Sequence, residues 1–299
     1  MEFLNTYFGL TTDYLAVLGI NLVLTVLVLA SIRYIIGMIS SVNTKEELTV
    51  RNNPALGISL AGVVLGVGII MSGVISGDAS ASLQEEIITV ALSAVIGIIL
   101  IFAARMIFDK ISMPNFKVRD ALLDGNVSVA VMDMGNVIAT ALIIKAVFVT
   151  SETGSINLML AGIGSFVVSQ LLLSVASYYR IALFNKHHDS SLQDNVLAGN
   201  VALSLRFAGF RIGMAFAISG ALALAPLDLN NLVSSLGIWL GVGLIQMVVV
   251  VVFAAICEKA LFAGVNTRDE VDNQKNVAVG ATQAALLTSI GLIVFTLVS

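Results

Sequence analysis

Charge is what this sequence has least of. Only 11% of its 299 residues are Asp, Glu, Lys or Arg, while 58% are hydrophobic, and the mean hydropathy is +1.00. An ordinary soluble domain carries about 25% charged residues. A chain so short of charge cannot wet its whole surface, which excludes a soluble globular protein as well as disordered and fibrous classes. Cysteine is nearly absent: a single Cys257 excludes an intramolecular disulfide and any cysteine-built metal cluster. Basic excess is absent too, since a net charge of −4 lacks the polybasic signature of nucleic-acid binding. Proline is scarce (Pro54, Pro114, Pro226) and glycine plentiful, as in packed membrane helices. The class that survives these exclusions is the integral membrane protein, in contact with lipid along most of its surface.

Apolar runs of about 20 residues, the length that crosses a bilayer, recur along the whole chain. They lie at roughly Tyr14–Ser40, Asn53–Ile75, Glu86–Phe108, Asn126–Phe148, Ile156–Phe184, Val196–Leu222, Leu232–Cys257 and Asn276–Leu297, and are numbered spans 1 to 8. They are long and without strand-type alternation, so they read as helices and not as barrel strands. The first run follows Glu2 and Asp13, has no basic segment before it and is too long for a signal peptide, so it reads as a retained span.

Basic residues set the expected orientation. Arg33, Lys45 and Arg51 flank the loop after span 1. Arg105, Lys110, Lys117 and Arg119 flank that after span 3. Arg180 and Lys186 follow span 5, and Lys259, Arg268 and Lys275 follow span 7. The alternate loops hold Asp78, Glu85, Glu152 and Asp228 without Lys or Arg. The positive-inside rule then puts the four basic loops in the cytoplasm and both termini outside, in a bacterial inner membrane. Lys145 is expected to snorkel outward from the far end of span 4.

The chain also repeats itself. Without a gap, Asn53, Ala55, Leu56, Ala61, Gly62 and Gly66 fall on Asn200, Ala202, Leu203, Ala208, Gly209 and Gly213, and Ser72-Gly73 falls on Ser219-Gly220, at an offset of 147 residues. Asn126-Val127, Val129 and Leu142-Ile143 fall on Asn276-Val277, Val279 and Leu292-Ile293 at an offset of 150. Residues 1–150 and 151–299 therefore read as two copies of one four-helix membrane unit. Four is even, so the second copy enters the membrane as the first does. The expected fold is an all-α integral membrane protein of eight transmembrane helices. Its two four-helix repeats are parallel and related by a pseudo-twofold along the membrane normal. Gly62-x-x-x-Gly66 and Gly209-x-x-x-Gly213 put small residues on one helix face, as close helix packing, a smooth path or a homo-oligomer contact would use. Asn53, Asn126, Asn200 and Asn276, at the starts of spans 2, 4, 6 and 8, are expected N-caps.

The pattern Asn-x-Ala-x-x-x-x-x-Ala-Gly-x-x-x-Gly opening a second helix resembles the bacterial domain-of-unknown-function 350 family. So does a fourth helix opening on Asp124-Gly125-Asn126-Val127. The resemblance implies small inner-membrane proteins of four helices per domain, here in tandem over nearly the whole chain. It also implies an association with envelope-stress proteins and polyamine-ligase-like enzymes. The family's activity is undefined. The second copy departs from the family pattern in carrying Arg206 and Arg211 where the first has Ser59 and Val64.

A charge at the bilayer centre costs at least about 2.5–3.5 kcal/mol, so each one calls for a reason. Asp133 and Arg206 both lie about 10 Å along their helices from the capping asparagines, and Arg211 about 17 Å, near the midplane. The expectation is that Asp133 pairs with Arg206 or Arg211 across the two copies. With Gln283 in place of a second acid, one positive charge is left over, suited to an anion, a lipid phosphate or a water path. Asp133, Arg206, Arg211, Gln283 and Asn136 are thus the candidate lining of a ligand or ion path. Asn21, Gln170 and Gln246 are candidates for interhelical hydrogen bonds.

His187-His188-Asp189 and the acidic stretch Arg268-Asp-Glu-Val-Asp272 read as solvated loops. The acidic stretch offers contacts to cytosolic partners, and cytoplasmic or periplasmic protein partners are expected of the protein as a whole. The sequence contains no nucleophile elbow, phosphate loop, metal-ligand spacing or paired catalytic carboxylates, and nothing that asks for a cofactor. The expected role is a channel or transporter for a small ion or solute, not an enzyme. The alternative is a scaffold or envelope-stress component that recruits partners through its loops.

Overall fold

The computed structural model describes residues 12–40, 42–76, 82–150 and 156–299. Glu2, Asp78 and Glu152, which entered the orientation argument, lie outside the described residues. Spans 1 to 8 are the helices Thr12–Ser40, Pro54–Ile75, Leu83–Ile107, Val127–Thr150, Ile156–Asn185, Val201–Leu224, Leu232–Leu261 and Val277–Val298. All eight are long and apolar enough to cross a membrane, and no strand occurs among the described residues. Hydrocarbon offers the backbone no hydrogen-bond partners, so an apolar stretch of this length must satisfy itself as a helix.

Span 6 differs from the sequence reading. It begins at Val201, because Leu192–Leu197 is a separate short helix that ends before it. The same device precedes every even-numbered span. Short helices Thr44–Thr49, Val118–Leu123 and Leu192–Leu197, and a single π-turn at Asp269–Asn273, each lead into a residue with left-handed backbone and then an asparagine. The left-handed residues are Asn52, Gly125, Gly199 and Lys275, with φ of 49°, 79°, 82° and 55°. That conformation ends one helix and lets the next start at an angle to it.

The even spans form the centre. Span 2 packs on span 4, span 4 on span 6 and span 6 on span 8, in that order. Spans 1, 3, 5 and 7 flank this row and turn large side chains outward, among them Leu22, Leu27, Leu92, Ile99, Val167 and Val248. Glycine sets the spacing inside each pair. A side chain at Gly62 would meet the Met134 backbone at 2.8 Å, one at Gly66 would meet Val137 at 2.8 Å, and one at Gly73 would meet Lys145 at 2.7 Å. The second repeat gives the same list: Gly209 on Ala284 at 2.4 Å, Gly213 on Leu287 at 2.4 Å and Gly220 on Phe295 at 3.2 Å. Both Gly-x-x-x-Gly faces are therefore consumed inside their own repeats. This is the close helix packing that such small-residue faces suit, and a neighbouring helix already occupies each. Lys145 lays its stem across Gly73.

These contacts make a sharp prediction. Gly213→Ala places a methyl against the Leu287 carbonyl and should destabilise the fold by about 1–3 kcal/mol, the usual effect of overpacking. Gly68→Ala, whose new methyl meets nothing within 4 Å, should be neutral or slightly stabilising. Thermal unfolding in detergent compares the two, and equal midpoints would refute the assignment of Gly213 to a backbone contact.

Candidate functional site

The four asparagines do more than cap. Each side-chain carbonyl accepts from its own helix: Asn53 from Leu56 N (3.1 Å), Asn126 from Val129 N (3.1 Å), Asn200 from Leu203 N (3.0 Å), and Asn276 from Ala278 N and Val279 N (3.1 and 3.3 Å). Each amide Nδ2 then reaches sideways. Asn53 donates to the Leu122 carbonyl at 2.9 Å, Asn126 to the Leu197 carbonyl at 2.8 Å, and Asn200 to the Val271 carbonyl at 3.0 Å. Asn276 donates instead to Glu270 Oε2 at 2.7 Å. A residue that caps and braces at once ties a helix start to the turn beside it.

Asp133 is 1% exposed and does not meet Arg206 or Arg211. Its partner is Arg105 of span 3. Arg105 Nε donates to Oδ1 at 2.9 Å and Nη2 to Oδ2 at 2.7 Å, a two-pronged contact that suits the planar guanidinium. Ser59 Oγ donates to the same Oδ2 at 2.6 Å and accepts from Arg105 Nη2 at 2.9 Å. The expected pairing fails on orientation. Asp133 lies on the face of span 4 that Met134 and Val137 turn toward span 2, whereas Gly135 and Asn136 face span 6. Depth along a helix was legible in the sequence; azimuth was not. Arg105 read as a loop cation because it stands one turn from the end of span 3. A signal was there in the first copy alone, which has an acid at 133 and a basic residue at 105, both lost in the second as Gln283 and Ala254.

The second repeat balances its charge differently. Arg206 stands where the first repeat has Ser59, and its Nη2 donates to Asp272 Oδ1. Asp272 is 6% exposed and also lies 3.5 Å from His188 Nε2. The expectation of a solvated acidic loop is thus wrong for Asp272, because the π-turn folds its side chain back under span 6. His188 is held as well, stacked on Phe184 at 4.1 Å between ring centroids, with Nδ1 at 3.0 Å from the Phe184 carbonyl. Gln283 donates to Glu258 Oε1 at 2.5 Å, and Thr267 donates to the same oxygen at 2.7 Å. Asp269 stays at the surface, where hydrogen bonds from Asn273 and Gln274 hold its carboxyl below the usual carboxylate range. No group of three His, Cys, Asp or Glu able to hold a metal occurs among the described residues.

Among the described residues, neither Arg180 nor Arg211 has such an acid partner: Arg180, near the end of span 5, lies 5.3 Å from the Phe210 ring centroid with its Nε buried and unpartnered, and the deeper of the two is Arg211. It is 2% exposed at the junction of the repeats and has only neutral partners. It donates from Nη2 to Asn136 Oδ1 of span 4 at 2.6 Å, and from Nη1 to the Leu173 carbonyl of span 5 at 3.2 Å and to Ser177 Oγ. Its guanidinium lies 4.9 Å from the Phe108 ring centroid, a cation–π contact. Arg211 Nε, Asn136 Nδ2 and Thr140 Oγ1 are buried with no partner. Asn136 and Thr140 stand one turn apart on span 4, so the unpartnered groups form one stripe. Buried polar atoms without partners cost about 1–3 kcal/mol each and call for an explanation.

Two pockets lie elsewhere. One of about 550 Å³ is lined by His187, His188, Ser190, Asn266, Arg268 and Asn273 at the basic-loop end. The other, about 500 Å³ and apolar, lies between spans 1 and 3 around Leu15, Gly19, Val23 and Ile87.

A double-mutant cycle tests the Asp133 cluster. Asp133→Leu strands Arg105 and should cost about 3–5 kcal/mol, whereas Asp133→Leu with Arg105→Leu should recover most of that loss. Additive losses in chemical denaturation would show that the two residues do not act as a pair.

The comparisons with known proteins agree with the repeat. The family model described as Domain of Unknown Function (DUF350) matches twice, over residues 9–148 and 155–298. No curated protein and no solved structure matches the chain. Two matches covering nearly all the residues, each opening its second span on a bracing asparagine, place this chain in the DUF350 family as a tandem form with two copies of the domain.

Proposed function

We propose that this membrane protein passes a small anion or anionic solute along a polar seam between its repeats, with Arg211 as the attracting charge. One observation carries the reading. Asp133 is balanced by Arg105 and Arg206 by Asp272, while Arg211 has neutral partners only and lies beside unpartnered groups of Asn136 and Thr140. A lone cation about 17 Å into a span stands near mid-membrane, where an intramembrane charge marks a pathway more often than a packing device. In the conformation described, the ideal Cβ of Gly135 would lie 2.4 Å from that of Ala208. Passage therefore requires spans 4 and 6 to part.

Four spans per copy and a shared element order support parallel repeats. The contact of span 4 with span 6 supports a head-to-tail junction in place of the expected twofold, which would set span 4 against 8 or span 2 against 6. The charge pattern of the loops supports a bacterial inner membrane with both termini outside. The role proposed is not enzymatic. The scaffold reading has one observation of its own, the polar pocket around His187, His188 and Arg268, whose residues suit contact with a partner at the basic-loop end.

Anion flux into proteoliposomes, with chloride, nitrate and small carboxylates as probes, tests the proposal. Arg211→Leu should reduce flux at least about tenfold, the effect of 1.4 kcal/mol on a binding step, and Arg211→Lys should retain part of it. Flux of none of these anions through the parent protein would leave the scaffold reading in its place.

A further inference from the structure

Spans 5 and 6 bring three arginines to one contact. On span 5, Ser177, Arg180 and Phe184 follow one another at spacings of three and four, so they share a helix face. Ser177 Oγ accepts from Arg211, Arg180 lies over the Phe210 ring, and Phe184 stacks on His188. Span 6 enters from the basic-loop end and presents Arg206, then Phe210 and Arg211. Arg180 stands five residues before Asn185, the end of span 5, or about 8 Å in, close to the level of Arg206.

These arginines hold idle donors. The Nε atoms of Arg180, Arg206 and Arg211 are all buried without a partner. Buried N–H groups without acceptors are rare and call for an explanation. Arg180 is the barest of the three. Among the described residues its side chain makes no hydrogen bond and no ion pair, and its guanidinium lies 5.3 Å from the Phe210 centroid. A π contact uses no N–H, so Arg180 keeps its whole fork. That fork matches two oxygens of one carboxylate or phosphate.

The surrounding charge favours an anion. Arg180 lies within electrostatic reach of Arg206, Asp272 and Glu258, and Arg206 within that of Arg268. Both acids are engaged: Asp272 faces Arg206 and His188, and Glu258 accepts from Gln283 and Thr267. Three arginines therefore stand against two occupied carboxylates. The polar pocket of about 550 Å³ offers an approach from the basic-loop end, since His188 lines it while reaching Asp272 and stacking on Phe184, one turn beyond Arg180. The first repeat lacks the arrangement. Its residues at the places of Arg180, Arg206 and Phe210 are Tyr34, Ser59 and Val63.

We propose that Arg180 and Arg206 form an oxyanion-binding site at the basic-loop end of the contact between spans 5 and 6. Arg180 grips two oxygens of the anion through its Nε–Nη edge, and Arg206 adds its Nε while its Nη2 stays on Asp272. The ligand is a carboxylate, nitrate or phosphate group, because a halide offers no second oxygen to the fork. The group arrives from solution through the pocket, or as the phosphate of an anionic lipid. The site stands independently of the transport reading, since it needs no opening of spans 4 and 6.

Ligand-dependent unfolding tests the site on the full chain, purified and delipidated in an uncharged maltoside detergent. Midpoints are read against nitrate, acetate and phosphate, with chloride holding the ionic strength constant. At least one oxyanion should raise the midpoint saturably, as a ligand of the folded state does. Arg180→Gln should weaken the apparent Kd at least about tenfold. Arg180→Lys, which keeps the charge and loses the fork, should weaken it as well, and it serves alone where Arg180→Gln does not fold. Arg211→Leu should leave the affinity unchanged. In a second arm dihexanoyl phosphatidylglycerol replaces the salts. A saturable rise with this lipid and none with the salts, lost in the Arg180 variants, assigns the oxyanion to a lipid headgroup. No rise in either arm would overturn the site, as would folded Arg180 variants that keep the parent's affinity. A rise lost in Arg211→Leu but kept in Arg180→Gln also refutes it, while leaving the proposed path in place. A rise that depends on Arg180, in a protein that passes no anion, supports the site without the path.

Discussion

Span 6 can lie backbone to backbone on span 8 only because Gly209, Gly213, Gly280 and Gly291 hold no side chains at the contact. Most of the molecule depends on that close approach and on its copy between spans 2 and 4. In hydrocarbon, helices gain little by hiding apolar surface from lipid that is equally apolar, so association rests on contact area and hydrogen bonds. Glycine brings the axes close enough for both. Thr288 can then reach the Gly209 carbonyl, and the asparagine caps can reach carbonyls of the neighbouring turns.

On that shared frame the two repeats have solved one electrostatic problem in different ways. In the first, an acid on span 4 is matched by an arginine on span 3 and a serine on span 2. In the second, the arginine has moved to span 6, the acid to the turn before span 8, and the span 8 position is a glutamine bonded to Glu258. Each arrangement neutralises its own charge locally. That leaves Arg211, placed between repeats and held only by neutral groups, as the feature that belongs to the pair and to neither repeat alone.

The fold was largely legible. Long apolar runs, basic loops and matched asparagines and glycines have physical meanings that do not depend on which helix touches which: hydrocarbon excludes other backbone conformations, and a cap is a local event. The candidate site was legible only in part. Arg211 stood out because nothing else in its helix explained it. Arg105 was misread because its distance from the helix end resembles that of a loop cation. Asp272 was misread because a surface-like run of acids conceals which of them the turn carries inward.

The sequence by itself determined eight spans, a duplication, the capped starts of the even helices and a surplus of positive charge in span 6. Each of these follows from composition or from spacing along one helix. Only the tertiary structure decided which charges meet, that the Gly-x-x-x-Gly faces are used within the repeats, and that span 4 of one copy sits on span 6 of the other. Those outcomes depend on the rotation of each helix about its own axis. A helix surrounded by apolar neighbours on every side carries almost no amphipathic pattern, so rotation is settled by side-chain fit between helices and not by the segregation of apolar from polar residues along any one of them.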